Sequence, residues 1–340
     1  MAEKTYRVLV VEDAESILLA IRDYLVAYFE TTAVATAAEA EQAIEMAIER
    51  GEPFHLMVAD IHLPDRSGLD LIHFCRDKSP ETRCVLMTSY DINDYIEFIQ
   101  ANNIDQVISK HSHFSLHDLY VTANKTMTGD IFGLDKYFED IKVYYPPEMK
   151  NNLVPDNREV FSIKIRSSEE RIYWTDKISL ILSECRGVAE SLSKLVLDEI
   201  TTNSMVRAPQ HEDGTYKYQT KVPGSDVLVP QDDIVLDPED HFLVQYGFYD
   251  DWMIIACQDP HGNLHKQEIL YRLKRHISVS TDSGLPDGLS DSHGRGIFLL
   301  REHLTHLIFN IKRGRKTEVI CLYNTAQDIP YKNIAIYEVP

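Results

Sequence analysis

Five polar residues in the first third of the chain directly follow short apolar runs, and together they could bind a metal ion and a phosphoryl group: Glu12, Asp13, Asp60, Thr88 and Lys110. If the apolar runs are parallel strands, these residues meet at one edge of a sheet, where α/β proteins bind ligands. Three carboxylates there need a divalent cation, and a ligand set made only of oxygen suits Mg²⁺. A lysine pairs with an added phosphoryl group, and a threonine hydroxyl hydrogen-bonds to it. Taken alone, Asp60 could be only the cap of the following helix, but the other four residues favour chemistry.

The residues around this acidic set predict the elements that position it. Four apolar runs are predicted to be strands: Tyr6–Val11, Phe54–Ala59, Cys84–Met87 and Gln106–Ile108. Apolar residues at helical spacing predict five helices: Ile17–Phe29, Ala37–Arg50, Leu69–Arg76, Ile92–Ala101 and Leu116–Thr126. Pro64 and Gly68 mark the loop that separates Asp60 from its helix. With a fifth strand in the count, this alternation predicts an α/β fold with a doubly wound, five-stranded parallel sheet.

The acidic set resembles that of the response-regulator receiver domain, and the resemblance covers residues 1–126. It implies that Glu12 and Asp13 hold Mg²⁺ together with Asp60, and that Asp60 accepts the phosphoryl group. It also implies that Thr88 and Lys110 read the phosphorylated state, and that a cognate sensor histidine kinase is the partner. Two residues depart from the family pattern, one in place of the proline after the lysine and one in place of the switch aromatic: His111 and Val107.

Composition limits the class of protein to which the chain can belong. Its 340 residues suffice for two domains, and a net charge of −20 argues against nucleic acid as a partner. The basic run Lys312–Lys316 is interpreted as a solvated hairpin. Five cysteines without a C-x-x-C pair indicate reduced thiols in a cytoplasmic protein. No apolar run approaches the roughly 20 residues of a membrane span, so the sequence predicts no membrane segment.

After the first sheet, the sequence divides into an aromatic connector (127–157), a second domain (158–325) and a C-terminal tail (326–340). The connector carries aromatic residues that favour docking over free solvation: Phe132, Tyr137 and Phe138. Strands of the second domain are predicted at Phe161–Ile165, His241–Gly247, Trp252–Cys257, Leu307–Ile311 and Thr317–Tyr323. Helices are predicted at Glu169–Ser183, Ala189–Met205 and Leu264–Ile277, and from His293 onward. Residues 208–240 are rich in Pro, Asp and Gly and are predicted to form an exposed insertion.

Two pairs of residues in the second domain could bind a nucleotide, although each has a plainer interpretation. Glu199 and Asn203 stand four residues apart and share one face of a helix, as many surface pairs do. Gly294 and Gly296 open a helix, where the backbone can approach phosphates, but a plain tight turn has the same pattern.

Taken together with Asp259 and Thr317, these pairs stand in the order of the ATP-binding boxes of the GHKL superfamily. The segment His293–Leu300 is most similar to the anti-sigma-factor serine-kinase branch. The resemblance implies an α/β sandwich of GHKL ATPase type that binds ATP and Mg²⁺ under a lid formed by residues 264–293. It implies the following cofactor and catalytic residues: Asn203 for Mg²⁺, Asp259 for the adenine, Gly262, Gly294, Gly296 and Thr317 around the nucleotide, and Glu199 as general base.

The second resemblance carries departures of its own. His261 and Asn263 stand where the family has glycines, and their side chains could fill the adenine pocket. If they do, replacing both with glycine should tighten ATP binding.

The sequence therefore predicts a two-component response regulator, phosphorylated on Asp60, that controls a GHKL-like output domain. We expect this domain to act by binding a protein partner, such as a sigma factor or an anti-sigma antagonist, with ATP as a candidate ligand. The alternative is an active ATP-dependent serine kinase and anti-sigma factor switched by the receiver. Glu199 and Asn203 favour the enzyme, whereas His261 and Asn263 favour the binding module. The sequence leaves open the partner, the sense of the switch and the oligomeric state.

Overall fold

The structure is a computed structural model that divides the chain into two compact units, residues 1–131 and residues 132–340. It describes residues 6–89, 99, 104, 106–110, 115–145, 153–222, 225, 227–277, 296–326 and 333–340. Among the helices within these ranges, none is long and apolar enough to cross a membrane.

The first unit is a five-stranded, fully parallel sheet with helices between its strands. Its strands lie in the order β2-β1-β3-β4-β5. They are β1 (Arg7–Val11), β2 (Glu30–Val34), β3 (Leu56–Asp60), β4 (Arg83–Thr88) and β5 (Gln106–Ser109). The described helices are α1 (Glu15–Leu25), α2 (Ala37–Glu49), α3 (Gly68–Lys78) and α4 (Leu116–Thr128). The predicted doubly wound parallel sheet is confirmed, while the predicted helix Ile92–Ala101 lies, apart from Ile99, outside the described residues.

Local capping explains where the helices of this unit begin and end. The hydroxyls of Thr36, Ser67 and Ser115 each accept a backbone N–H of the first turn that follows, at 3.2–3.3 Å. Gly129 ends α4 in the left-handed conformation that lacks a steric cost for glycine. The apolar faces of these helices pack on the sheet, where β1 and β3 contribute side chains with no exposed surface. The sheet therefore holds the ends of β1, β3, β4 and β5 at fixed positions.

The second unit is built on a seven-stranded mixed sheet in the order β14-β12-β13-β11-β10-β7-β6. Its strands are β6 (Lys142–Tyr144), β7 (Glu159–Ile165), β10 (Phe242–Tyr249), β11 (Trp252–Asp259), β12 (His306–Lys312), β13 (Lys316–Asn324) and β14 (Asn333–Val339). A separate hairpin consists of β8 (Gln219–Lys221) and β9 (Leu228–Pro230). The described helices are α5 (Ser168–Arg186), α6 (Glu190–Thr202), α7 (Lys266–Ile277) and α8 (Gly296–His303). This unit is therefore α/β, with a mixed sheet.

Two strands of the second sheet lie outside the bounds expected for the domain. β6 falls within the predicted connector and pairs parallel to β7, and β14 falls within the predicted tail and pairs parallel to β12. Both are edge strands, whose pairing depends on distant partners rather than on local sequence. The connector also contacts this unit through Phe132, whose ring lies 4.5 Å from Lys316 Nζ, and through Phe138, which packs on Tyr249.

The prediction that residues 208–240 are an exposed insertion is wrong in part. Within the described part of this segment, Tyr218, Ile234, Leu236 and Asp240 are all buried. The Pro, Asp and Gly content marked turns correctly, but the apolar residues between the turns pack on the unit.

Candidate functional site

The carboxyl ends of β1 and β3 bring together the three carboxylates that the sequence predicted to be metal ligands. Glu12, Asp13 and Asp60 each offer an oxygen within 4.8 Å of the others. Glu12 and Asp60 are buried, whereas Asp13 is exposed, so the group opens to solvent on one side. Because all the donors are carboxylate oxygens at one strand edge, their chemistry fits a hard divalent cation such as Mg²⁺.

Lys110 lies between two of these carboxylates. Its Nζ is 2.6 Å from Asp60 Oδ2 and 2.9 Å from Glu12 Oε2, and all three side chains are at least nine-tenths buried. Burial lowers the pKa of Lys110, but its hydrogen bonds to Asp60 and Glu12 outweigh burial and raise that pKa above its ordinary value. Burial also raises the pKa of Glu12, against the opposing pull of Lys110. The lysine therefore stays charged and balances part of the acidic group.

Thr88 stands where the sequence predicted it, at the end of β4 beside the acidic group. It is fully buried, and its carbonyl accepts the Lys110 backbone N–H at 2.6 Å. Val107 on β5 is also buried, so this position holds a small aliphatic side chain within the sheet. His111 lies outside the described residues.

Gly68, which the sequence marked only as a loop residue, also packs closely against the backbone of Asp60. A Cβ on Gly68 would overlap the backbone carbonyl of Asp60. The Gly68 N–H also donates to the Ile61 carbonyl at 2.8 Å. The start of α3 is thus held against the residue that carries the central carboxylate, which requires glycine at this close approach.

The second unit contains a cavity that opens to solvent, and the space within it, with the open part included, is about 650 Å³. Its described lining includes three of the residues that were predicted to bind nucleotide: Asn203, Asp259 and Thr317. Asp259 and Thr317 are direct neighbours across β11 and β13, although they are far apart in sequence. Asn203 comes from the helical side, where it begins a π-helical turn, 203–207, that continues α6. Such turns widen a helix and are frequent at functional sites.

Glu199 and Gly296 meet beside the cavity. The Glu199 carboxylate accepts a hydrogen bond from Asn203 Nδ2 at 2.8 Å, and a Cβ on Gly296 would overlap that same carboxylate. Asn203 belongs to the described lining of the cavity, whereas Glu199 does not. The i, i+4 pair and the second glycine therefore form one cluster, while Gly294 lies outside the described residues.

Asp259 is buried at the end of β11 and points its carboxylate into the loop that follows. Its Oδ1 accepts the backbone N–H of His261 at 3.0 Å and that of Gly262 at 3.4 Å. Burial raises the pKa of Asp259 to about 6, although these backbone donors pull it down. Gly262 has φ of +67°, and a Cβ there would overlap the Lys312 carbonyl, so this turn needs glycine.

The two side chains that could fill the predicted adenine pocket, those of His261 and Asn263, do not fill the cavity. Nε2 of His261 lies 3.2 Å from Asp240 Oδ1, and His261 does not belong to the described lining. Asn263 lines the cavity, but its Nδ2 donates to the Ala208 carbonyl at 2.7 Å. The cavity therefore keeps its space, because His261 lies against Asp240 and Asn263 is held by the Ala208 carbonyl.

Sequence reasoning missed the basic residues of the cavity, Arg207 and Arg272. Burial, and then the nearby charge of Arg272, lower the pKa of the Arg207 guanidinium. Arg272 makes an ion pair with Glu268 within α7. The only signal in the sequence was that Arg207 follows Asn203 by four residues, on the face that Asn203 shares.

Comparison with known proteins bears on the first unit. Residues 8–120 match the family described as the response regulator receiver domain. The response regulator protein PilR of Pseudomonas aeruginosa is 33% identical over 73 residues, which are 21% of this chain and 16% of that protein. The probable transcriptional regulatory protein TcrX of Mycobacterium tuberculosis is 34% identical over 110 residues, which are 31% of this chain and 44% of that protein. The chain thus spans less than half the length of either relative.

Among solved structures, a CheY-like response regulator receiver domain protein from Methanospirillum hungatei is 26% identical. The similarity covers 36% of this chain and 94% of that chain, with a TM-score of 0.33.

The residues matched by the family contain the whole acidic group and Lys110. Receiver domains bind Mg²⁺ at an acidic pocket, and the cluster of Glu12, Asp13 and Asp60 forms that pocket here. Residues 8–120 are a response regulator receiver domain of a two-component system.

Proposed function

We propose that Asp60 is the phosphoryl acceptor and that its phosphorylation controls the second unit. The observation that carries this proposal is the contact of Lys110 Nζ with Asp60 Oδ2 at 2.6 Å, beside the other two carboxylates. A carboxylate oxygen of Asp60 attacks the phosphorus and displaces the donor's leaving group. Lys110, which already balances this carboxylate, then pairs with a phosphoryl oxygen. Glu12, Asp13 and Asp60 would hold Mg²⁺, which supplies charge neutralisation for the transferring group.

Labelling with a small phosphodonor tests this assignment. The full chain, incubated with the donor and Mg²⁺, should gain one acid-labile phosphate, and Asp60→Asn should gain none. Asp77→Asn is the matched control, because it removes the same charge from an exposed position on α3. Glu12→Ala should slow labelling by weakening metal binding. Equal labelling of the wild type and Asp60→Asn would place the acceptor elsewhere.

For the second unit, we propose a GHKL-type nucleotide site whose output is the binding of a protein partner. The cavity supports this proposal because it gathers Asn203, Asp259 and Thr317 in one place. Asn203 donates through Nδ2 to Glu199, so its amide oxygen is the end suited to Mg²⁺. Arg207 and Arg272 supply positive charge for the phosphates of ATP. Gly262, Gly294 and Gly296 remain the proposed backbone contacts.

An active serine kinase or ATPase is the second candidate, with Glu199 as general base. Its supporting observation is that Glu199, Asn203 and Gly296 form one cluster beside the cavity. A general base must reach the attacking hydroxyl or water directly or through one water molecule. Because Glu199 packs against Gly296 outside the described lining, the geometry favours binding over catalysis. The proposed protein partner is a sigma factor or an anti-sigma antagonist.

Calorimetry with a non-hydrolysable ATP analogue, with and without Mg²⁺, tests the nucleotide site. Asn203→Ala should remove the Mg²⁺-dependent part of the affinity, and Asp259→Ala should remove the preference for adenine over guanine. Asn124→Ala, a helical asparagine on α4 of the first unit, is the control. Binding that survives both changes would place the nucleotide elsewhere, and no binding by the wild type would overturn the proposal. Phosphate release from ATP itself then separates the enzyme from the binding module.

A further inference from the structure

A buried carboxylate in the segment before β10 belongs to neither of the sites described above. Asp240 ends a single 3₁₀ turn, 238–240, and has no exposed surface. The hydroxyl of Tyr218 donates to its Oδ2 at 2.7 Å, and Lys217 Nζ lies 2.9 Å from the same oxygen. Nε2 of His261 lies 3.2 Å from its Oδ1. Burial of a carboxylate is costly unless it is paired and hydrogen-bonded, so this group holds its three partners together.

These three partners come from two separate stretches of the chain. Lys217 and Tyr218 immediately precede β8, and the Tyr218 hydroxyl also accepts the Asp237 backbone N–H at 2.9 Å. His261 lies in the loop that follows β11. Asp240 therefore ties the segment before β10 to the loop that carries one wall of the cavity.

The loop 259–263 is fixed from within as well. Asp259 Oδ1 accepts the N–H groups of His261 and Gly262, so the position of the His261 backbone decides where that carboxylate points. The Gly262 carbonyl accepts the Gly314 N–H at 3.2 Å. On the other side, Asn263 Nδ2 donates to the Ala208 carbonyl at 2.7 Å. These hydrogen bonds hold the backbone of the loop and the Asp259 carboxylate in place beside the cavity.

We propose that Asp240 is a positioning residue that fixes the loop 259–263 through His261, and with it the direction of the Asp259 carboxylate. The side chains of His261 and Asn263 then maintain the cavity wall instead of blocking the cavity. Replacing His261 and Asn263 with glycine should loosen this wall and weaken ligand binding, contrary to the expectation from sequence. The effect on nucleotide rests on the proposed function, whereas the effect on the loop does not.

Amide hydrogen exchange of the full chain without ligand tests the positioning role. Asp240→Asn and His261→Gly should each speed exchange in residues 259–264 by about tenfold or more, because the 3.2 Å contact between His261 Nε2 and the buried carboxylate is weakened or lost. His261→Gln should restore much of the protection, because an amide at this position can reach Asp240 and donate to its carboxylate. Glu239→Gln is the matched control, since it removes the same charge from the neighbouring, exposed carboxylate.

Asp240→Asn removes the buried charge that pairs with Lys217 and accepts from Tyr218, and this variant could fail to fold; in that case His261→Gly and His261→Gln decide the question. Unchanged exchange of residues 259–264 in His261→Gly would overturn the proposal, and so would a failure of His261→Gln to differ from His261→Gly.

Affinity for the non-hydrolysable ATP analogue is measured on the same variants. Weaker binding by the double variant His261→Gly, Asn263→Gly supports the proposal, and tighter binding overturns it. If the wild type binds no nucleotide while exchange follows the expected pattern, the nucleotide proposal fails and the positioning role stands.

Discussion

The acidic group of the receiver and the cavity of the second unit differ in how their charges are balanced. In the receiver, Lys110 contacts Glu12 and Asp60 directly, with all three side chains buried. In the cavity, the buried Asp259 is stabilised by neutral donors, the backbone N–H groups of His261 and Gly262 and the hydroxyls of Thr317 and Ser204, and the arginines belong to other parts of the wall. A cluster of paired charges suits a small ion and a phosphoryl group, whereas an open cavity whose charged groups lie apart on its wall suits a larger ligand.

The same contrast appears in what holds each site in place. The receiver residues lie at the ends of neighbouring parallel strands, so the sheet positions them, with the close approach of Gly68 to Asp60 as a local support. The cavity needs a π-helical turn, a cross-strand pair and a loop held by Asp240. We therefore expect a single substitution in the receiver to act mainly by leaving buried charges unpaired. A single substitution in the second unit should act mainly by changing the packing around the cavity.

The largest effect should follow from Lys110→Ala. This change leaves two buried carboxylates without their cation, so the free energy of unfolding at pH 7 should fall by about 3–5 kcal/mol. The loss should shrink as the pH falls, because Glu12, whose pKa is already raised, takes up a proton. Urea unfolding at pH 7 and pH 5 measures both effects. Lys78→Ala, at an exposed position on α3, is the control, and an equal loss in both variants would contradict the role of buried charge.

A smaller effect is expected from Gly296→Ala. The new methyl group would overlap the Glu199 carboxylate, which must move and release Asn203, so the free energy of unfolding should fall by about 1–3 kcal/mol. Thermal unfolding measures this loss. Gly314→Ala is the comparison, because its Cβ would meet no atom within 4 Å and only its φ of +62° is strained. If Gly296→Ala costs no more than Gly314→Ala, the contact with Glu199 does not matter.

The smallest effect concerns the pH dependence of nucleotide affinity. The pKa of Asp259 is raised to about 6 by burial, so its carboxylate is ionised above pH 6 and protonated below it. An ionised carboxylate is the better acceptor for an amino group, so affinity should fall about tenfold as the pH drops from 7 to 5. Titration at several pH values should show this fall relative to Asp259→Asn, which removes the titrating group. Parallel profiles of the two proteins would exclude Asp259 as the acceptor.

The same group affects stability in the opposite direction. Its raised pKa means that the folded chain binds a proton more tightly than the unfolded chain. Its contribution to stability is therefore present at low pH and is lost as the pH rises through about 6. Asp259→Asn should remove this part of the pH dependence of unfolding.

Much of the receiver could be predicted because its pattern is local. An apolar run followed by an acidic residue specifies both a buried strand and the residue at its end, and parallel pairing then brings these ends together. Thr88 and Lys110 were placed by the same rule. The caps at Thr36 and Ser115 and the stop at Gly129 likewise depend only on neighbouring residues.

The second unit shows what the sequence could not determine. The order of Glu199, Asn203, Asp259 and Gly296 indicated a site, but the directions of His261 and Asn263 depend on Asp240 and Ala208, which are distant in sequence. The edge strands β6 and β14 likewise carry no local signal for their partners.

The sequence by itself determined which residues end the strands of the receiver, since a continuous apolar run marks a strand buried on both faces and the polar residue after it marks the end. Only the tertiary structure decided that Lys110 bridges Glu12 and Asp60, and that His261 lies beside Asp240 outside the described lining of the cavity. The physical reason is that a buried charge takes whichever partner the whole fold brings within about 3 Å, and no local pattern encodes that distance.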